Sequence, residues 1–266
     1  MRFWISLLGT ITFLIAIQVS FTSHVHPCLR NCTYPPEPKT CQYSFTIEVY
    51  YVLSRACFDC PRNQSDCLRP QCVPLNGKER SIMTVNRQTP GPSIEVCEGD
   101  KIIVNVTNHL RNGEGTSIHW HGFHVRNEQY MDGVGMLTQC PIPIGNSFTY
   151  KISASTPGTH WWHAHTGMQR SDGIYGALTV RQARAVEHNN DTYDYDLPEH
   201  KMLLTDWLDS PTLDKFVAHH HSDGNNKPEA FLINGKGKRQ PFPDPDNLTT
   251  FYTNREVFMV ENGSRY

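Results

Sequence analysis

The sequence predicts an all-β protein built around an antiparallel β-sandwich, and three observations carry that prediction. Short runs rich in β-branched and aromatic residues recur between Ser81 and Val180, each closed by glycine, proline or asparagine. Within the runs apolar and polar residues alternate, as they do in strands with one buried face. No convincing amphipathic helix interrupts the series. Strands at this spacing make a sandwich of about a hundred residues.

The elements follow in order. Ile82-Met83-Thr84-Val85-Asn86 alternates, Pro90-Gly91-Pro92 turns, Ser93-Ile94-Glu95-Val96 alternates and Glu98-Gly99-Asp100 turns again. Lys101-Ile102-Ile103-Val104-Asn105-Val106-Thr107 is the strongest strand, and Ser147-Phe148-Thr149-Tyr150-Lys151-Ile152 and Gly176-Ala177-Leu178-Thr179-Val180 complete the set. A polar stretch then reads as a linker over residues 183–200. Beyond it Met202 to Trp207, Ala230 to Gly235 and Val257 to Val260 read as strands of a second, partial sandwich over residues 201–266.

The amino-terminal residues are of a different kind. Arg2 precedes an apolar run from Phe3 to Val19, and small residues follow, which favours a cleaved signal peptide over residues 1–20 against a membrane anchor. Seven of the nine cysteines (Cys28, Cys32, Cys41, Cys57, Cys60, Cys67 and Cys72) crowd residues 21–75, a lead-in that an exported protein would staple with disulfides. The Cys57-Phe58-Asp59-Cys60 spacing also suits a zinc knuckle, a reading that an oxidising compartment disfavours. The pairing stays open, and an odd total leaves at least one cysteine without an intrachain partner. Sequons at Asn31, Asn63, Asn105, Asn190, Asn247 and Asn262 agree with secretion and glycosylation. With 24 Lys+Arg against 26 Asp+Glu, the charge balance points to no nucleic-acid partner, and no specific protein partner is evident.

The chemistry concentrates in His119-Trp120-His121-Gly122 and His163-Ala164-His165. Histidines separated by one residue project from the same side of a strand, so two such pairs can offer four imidazoles to one metal cluster. Imidazole suits zinc, copper, iron and nickel, and ligand type alone does not choose among them. A zinc hydrolase would need a third ligand, an open position and a base that the pattern does not supply. The bland alternative is half-buried strand filling, which two pairs beside tryptophan and glycine disfavour. His219-His220-His221 lies in a polar stretch from Ala218 to Lys227 and reads as a solvated loop. His124 and His160 flank the motifs off the ligand positions, as packing residues or as residues that support the ligands, and His24 and His26 offer only a weak terminal copper site.

These two motifs, with Tyr130-Met131-Asp132-Gly133 and Thr138-Gln139-Cys140-Pro141-Ile142 between them, resemble the first cupredoxin domain of a multicopper oxidase. The run Ala56-Cys57-Phe58-Asp59-Cys60-Pro61, then Asp66-Cys67, Arg69-Pro70 and Cys72, is similar to the cysteine-rich lead-in of insect laccases, and Val85-Asn86-Arg87 to Pro90-Gly91-Pro92-Ser93-Ile94 is similar to the start of their first domain. The resemblance implies a Greek-key β-sandwich of cupredoxin type over residues 76–182 and copper as cofactor. It implies His119 as a type 2 copper ligand, His121 and His163 as ligands of one type 3 copper, and His165 as a ligand of the other. Asp132 would help deliver protons to reduced oxygen, although Asp132-Gly133 alone reads as a turn. Cys140 sits where relatives often bond to a third domain and is expected as a free thiol here.

The family couples oxidation of diphenols or catechols to four-electron reduction of dioxygen. The remaining cluster ligands and the type 1 site are not among these residues, so the chain is expected to be a partial oxidase, inactive alone. Ferroxidase or ascorbate oxidase activity, or a non-enzymatic copper-binding role, are the competing expectations.

Overall fold

The computed structural model describes residues 26–221, 227–246 and 248–266. The expected signal segment, His24 and the Asn247 sequon lie outside the described residues. Eight strands make the sandwich: Thr40–Tyr51 (β1), Ser81–Val85 (β2), Ile94–Cys97 (β3), Lys101–Asn108 (β4), Ile118–His121 (β5), Ser147–Ser153 (β6), Gly158–Ala164 (β7) and Tyr175–Arg181 (β8). One sheet runs β2-β1-β4-β6 and the other β3-β8-β7-β5. The ladders are antiparallel except β1 with β4 and β3 with β8, which are parallel. The expected antiparallel sandwich therefore contains two parallel pairs, each made where a later strand crosses over to lie beside an earlier one.

The core lies between the sheets. Phe45 and Ile47 of β1, Ile102, Val104 and Val106 of β4, Tyr150 and Ile152 of β6, and Trp120, Trp162 and Leu178 of the opposite sheet are at most 1% exposed. The Phe45 and Trp162 rings lie 4.6 Å apart, and Trp120 meets Tyr150 edge-on at 5.3 Å. Each such apolar side chain stabilises the fold by about 1.5–3 kcal/mol on burial. The Ile118 N–H donates to the Tyr150 hydroxyl at 2.9 Å, which satisfies that buried phenol.

Strand β1 corrects the boundary expected at residue 75. Cys41, Phe45 and Ile47 are buried by alternation, and β1 pairs with both β2 and β4, so residues 40–51 belong to the sandwich and not to a separate lead-in. Four disulfides join Cys28 to Cys41, Cys32 to Cys97, Cys57 to Cys72 and Cys60 to Cys67, and Cys140 is free and exposed. Asp100, at 0% exposure, reinforces this end. It pairs bidentately with Arg30 at 2.8 and 2.9 Å and accepts from the Lys39 and Cys97 N–H groups at 2.7 and 2.9 Å.

Beyond the sandwich, Leu204–Trp207 (β9) pairs with Ala230–Ile233 (β10), and Phe242–Pro243 (β11) with Thr250–Phe251 (β12). Trp207 and Leu232 bury themselves against Val52, Val73, Leu75 and Ile82, which docks this region on the sandwich. Two expectations fail here. Val257 to Val260 forms no strand, and Val257, Met259 and Val260 stay 63–79% exposed. Thr212–His221 (α1) is a helix, so the histidine triple occupies its last turn and not a loop. Cations are favoured at that end by the helix dipole. Among the described residues no helix is long and apolar enough to cross a membrane.

Candidate metal centre

Strand alternation places the histidines. Ile118 and Trp120 of β5, with Trp162 and Ala164 of β7, point into the core at 0–3% exposure. The residues between them must then face the other way. In the antiparallel ladder His119 stands opposite His163 and His121 opposite Trp161. One step beyond β7 the His165 N–H donates to Ser117 O at 2.9 Å, which continues the register and puts His165 on the same face.

The four imidazoles converge. The His119 ring lies 5.4, 5.4 and 5.3 Å from those of His121, His163 and His165. One nitrogen each from His119, His121 and His163 falls within 4.8 Å of the other two. His121 Nδ1 and His163 Nε2 are 3.2 Å apart. Two donors at the usual imidazole–metal distance of about 2.0–2.1 Å and roughly 100° apart would have that separation. His165 stands outside the group of three while its ring stays beside His119.

Main-chain carbonyls fix which nitrogen is free. His119 Nδ1 donates to Asp132 O at 2.8 Å and His163 Nδ1 to Ala164 O at 2.9 Å, so both rings keep an Nε2 lone pair for a metal. Burial pushes the His163 imidazole down to about 4, with the charges of His119, Arg170 and His121 acting the same way against its backbone bond. Burial, with the charges of His119, Arg170 and His165, also lowers His121. Unprotonated imidazole is the form that coordinates, so the site is poised to bind. A second convergence of donors, Cys28, Cys41 and Asp100, is no such site, because the sulfurs are bonded to each other and the carboxylate is taken by Arg30.

Residues 67–185 match a family model described as multicopper oxidase. The chain is 41% identical over 170 residues to laccase-1 of Cryptococcus neoformans, covering 61% of this chain and 26% of that one. It is 39% identical over 163 residues to L-ascorbate oxidase of Brassica rapa, covering 60% and 28%. Its structure aligns with the crystal structure of laccase from Botrytis aclada at a TM-score of 0.59 and 31% identity, covering 77% of this chain and 32% of that one. The chain carries a multicopper oxidase domain. It spans about a quarter of the length of the two curated relatives.

For a multicopper oxidase domain the implied metal is copper, and the donors fit it. All are imidazole nitrogens, two have their protons committed elsewhere, and two converge to one ion's ligand spacing. Asp132, singled out from the sequence, is brought to the rim of the cluster, its Oδ1 3.4 Å from His119 Nδ1. His124 is exposed, and His160 bonds Thr156 O at 2.9 Å. His26 stacks on Tyr43 at 4.2 Å and bonds Gln42 O, a packing role.

Several residues around the histidine cluster escaped the sequence reading. Trp161 packs on His163 at 4.2 Å and on His121 at 5.1 Å. Its parity with His163 was the available signal. Gln169, fully buried, accepts from Thr116 Oγ1 at 2.7 Å and donates to Glu114 Oε2 and Gly115 O at 2.8 Å, tying the loop after His165 to the segment before β5. Nothing local marks it, since its partners lie more than 50 residues away.

Proposed function

We propose that this chain belongs to a secreted, copper-dependent oxidase of laccase type, which oxidises diphenols or catechols and reduces dioxygen to water. His119 would bind the type 2 copper, His121 and His163 one type 3 copper, and His165 the other. The observation that carries this reading is the 3.2 Å approach of His121 Nδ1 to His163 Nε2, two donors set for a single ion. Copper in such a cluster supplies the one-electron steps by which four electrons reach dioxygen. The protein's own residues do the rest.

The strand pair holds the imidazoles in place before any ion arrives, and the hydrogen bonds to Asp132 O and Ala164 O keep His119 and His163 in the coordinating tautomer. Trp161 walls one side of the cluster. Reducing one dioxygen to two waters consumes four protons, and the half-buried Asp132 carboxylate at the rim would carry them in. Export is supported by the four disulfides, which persist in oxidising surroundings. Likeness to L-ascorbate oxidase at 39% identity supports a second reading, with ascorbate as the reductant.

The test is oxygen uptake by the complete oxidase with catechol and with ascorbate, for the native sequence and for Asp132→Asn. Faster turnover of catechol supports the laccase reading, and faster turnover of ascorbate replaces it. Loss of the Asp132 carboxylate should slow oxygen reduction by roughly 100-fold or more and alter its pH profile. An unchanged rate and profile would remove the proton-carrying role.

A further inference from the structure

The turn that follows β5 reaches both faces of that strand. Because β5 is the edge of its sheet, residues 129–133 can hang beside it with no ladder partner in the way. Gln129–Met131 forms one turn of 3-10 helix, and its last carbonyls are left without helical partners. Two of these accept from successive β5 side chains. The Trp120 indole N–H donates to Met131 O at 3.1 Å on the core side, and His119 Nδ1 donates to Asp132 O at 2.8 Å on the cluster side.

Gly133 closes the arrangement. Its φ is +80°, and a Cβ there would lie 1.7 Å from Ile118 O and 3.0 Å from the His119 main-chain nitrogen. Only glycine lets the turn sit this close to the strand. The Asp132 carboxylate is less well placed for the same bond, with Oδ1 3.4 Å from His119 Nδ1. At that distance the hydrogen bond is weak at best.

We propose that the main-chain carbonyl of Asp132, seated by Trp120 and Gly133, orients His119 for its metal, and that the Asp132 carboxylate is not needed for that task. Trp120 and Gly133 are thus positioning residues. They act on the cluster through one carbonyl, without touching the ion. The inference rests on the reading that His119 binds copper, but its first readout needs no metal.

The experiment uses the full chain with 15N-labelled histidine. In metal-free protein, NMR should report His119 protonated at Nδ1 in the native sequence and in Asp132→Asn, and a mixture of tautomers in Trp120→Phe and Gly133→Ala. Titration with copper(II) should show Trp120→Phe and Gly133→Ala weakened by roughly 10–100-fold, the usual cost of losing a group that supports a ligand. Asp132→Asn should stay close to the native affinity. Trp120→Phe removes the N–H while keeping an aromatic ring in the core, so it decides the matter if Gly133→Ala does not fold. The proposal is overturned if Asp132→Asn disturbs the His119 tautomer, or if Trp120→Phe leaves both tautomer and affinity unchanged. A native chain that binds no copper would instead refute the function proposed above, and the tautomer comparison would still stand.

Discussion

Asp172 and Arg80 pair at 2.9 Å across 92 residues of sequence, with side chains only 7% and 4% exposed. The same carboxylate accepts from the Thr212 N–H and hydroxyl at 3.0–3.2 Å at the start of α1. Arg80 in turn lies 4.2 Å over the Trp207 ring. One buried ion pair therefore fastens the region after residue 200 to the loop that leaves His165. Breaking such a pair by removing one partner costs about 3–5 kcal/mol, because the other charge stays buried. Asp172→Ala should lower the unfolding free energy by about that amount, measured by urea denaturation. A loss below about 1 kcal/mol would mean that Arg80 finds water or another partner.

Copper should bind at the strand histidines and not at the helix triple. Replacing His121 or His163 by alanine removes one of the two donors that lie 3.2 Å apart. Copper(II) affinity should fall by more than about 100-fold, beyond the effect of losing a supporting hydrogen bond. Replacing His219, His220 and His221 together should leave the tight site intact. Calorimetric titration that shows the reverse would move the metal centre to α1.

Acid should unfold the chain through Asp100. Burial works against its charge, but Arg30 and the Lys39 and Cys97 N–H groups outweigh it and hold the carboxyl below its ordinary value of 3.8. A carboxylate lowered on folding contributes stability that is present above its unfolded value and is lost as pH falls through the folded one. Denaturation midpoints should hand over this contribution below about pH 4. Asp100→Asn should be less stable at neutral pH and show a smaller acid-dependent loss. Identical pH profiles would assign the acid limb to other groups.

Thiol labelling should find one site. Cys140 is exposed and free while the other eight cysteines are bonded in pairs. Iodoacetamide under native conditions should add one group per chain, and Cys140→Ser should abolish it. Modification of any cysteine between Cys28 and Cys97 would contradict the pairing.

The histidine face was legible because it obeys a local rule. His119 and His121, or His163 and His165, need only a period of two to share a face, and Trp120 and Trp162 mark the buried side. Strand β1 was equally periodic, with Cys41, Phe45 and Ile47 inward, but its place among cysteines and prolines suggested a stapled lead-in. What could not be read locally is what distant residues decide. Helix α1 has an unremarkable composition and is held at its start by Asp172, forty residues earlier. Gly133 looks like any turn glycine until Ile118 O is found against it.

The paired bridges at the other end of the sandwich have a mechanical consequence. Cys28 and Cys32 stand four residues apart, yet one is bonded to Cys41 in β1 and the other to Cys97 at the end of β3, which belong to opposite sheets. Arg30, between them, grips Asp100. A pull on the chain ahead of Cys28 is therefore shared by both layers at once. To yield, the layers must slide past each other in shear, a far stiffer response than peeling one strand from an edge.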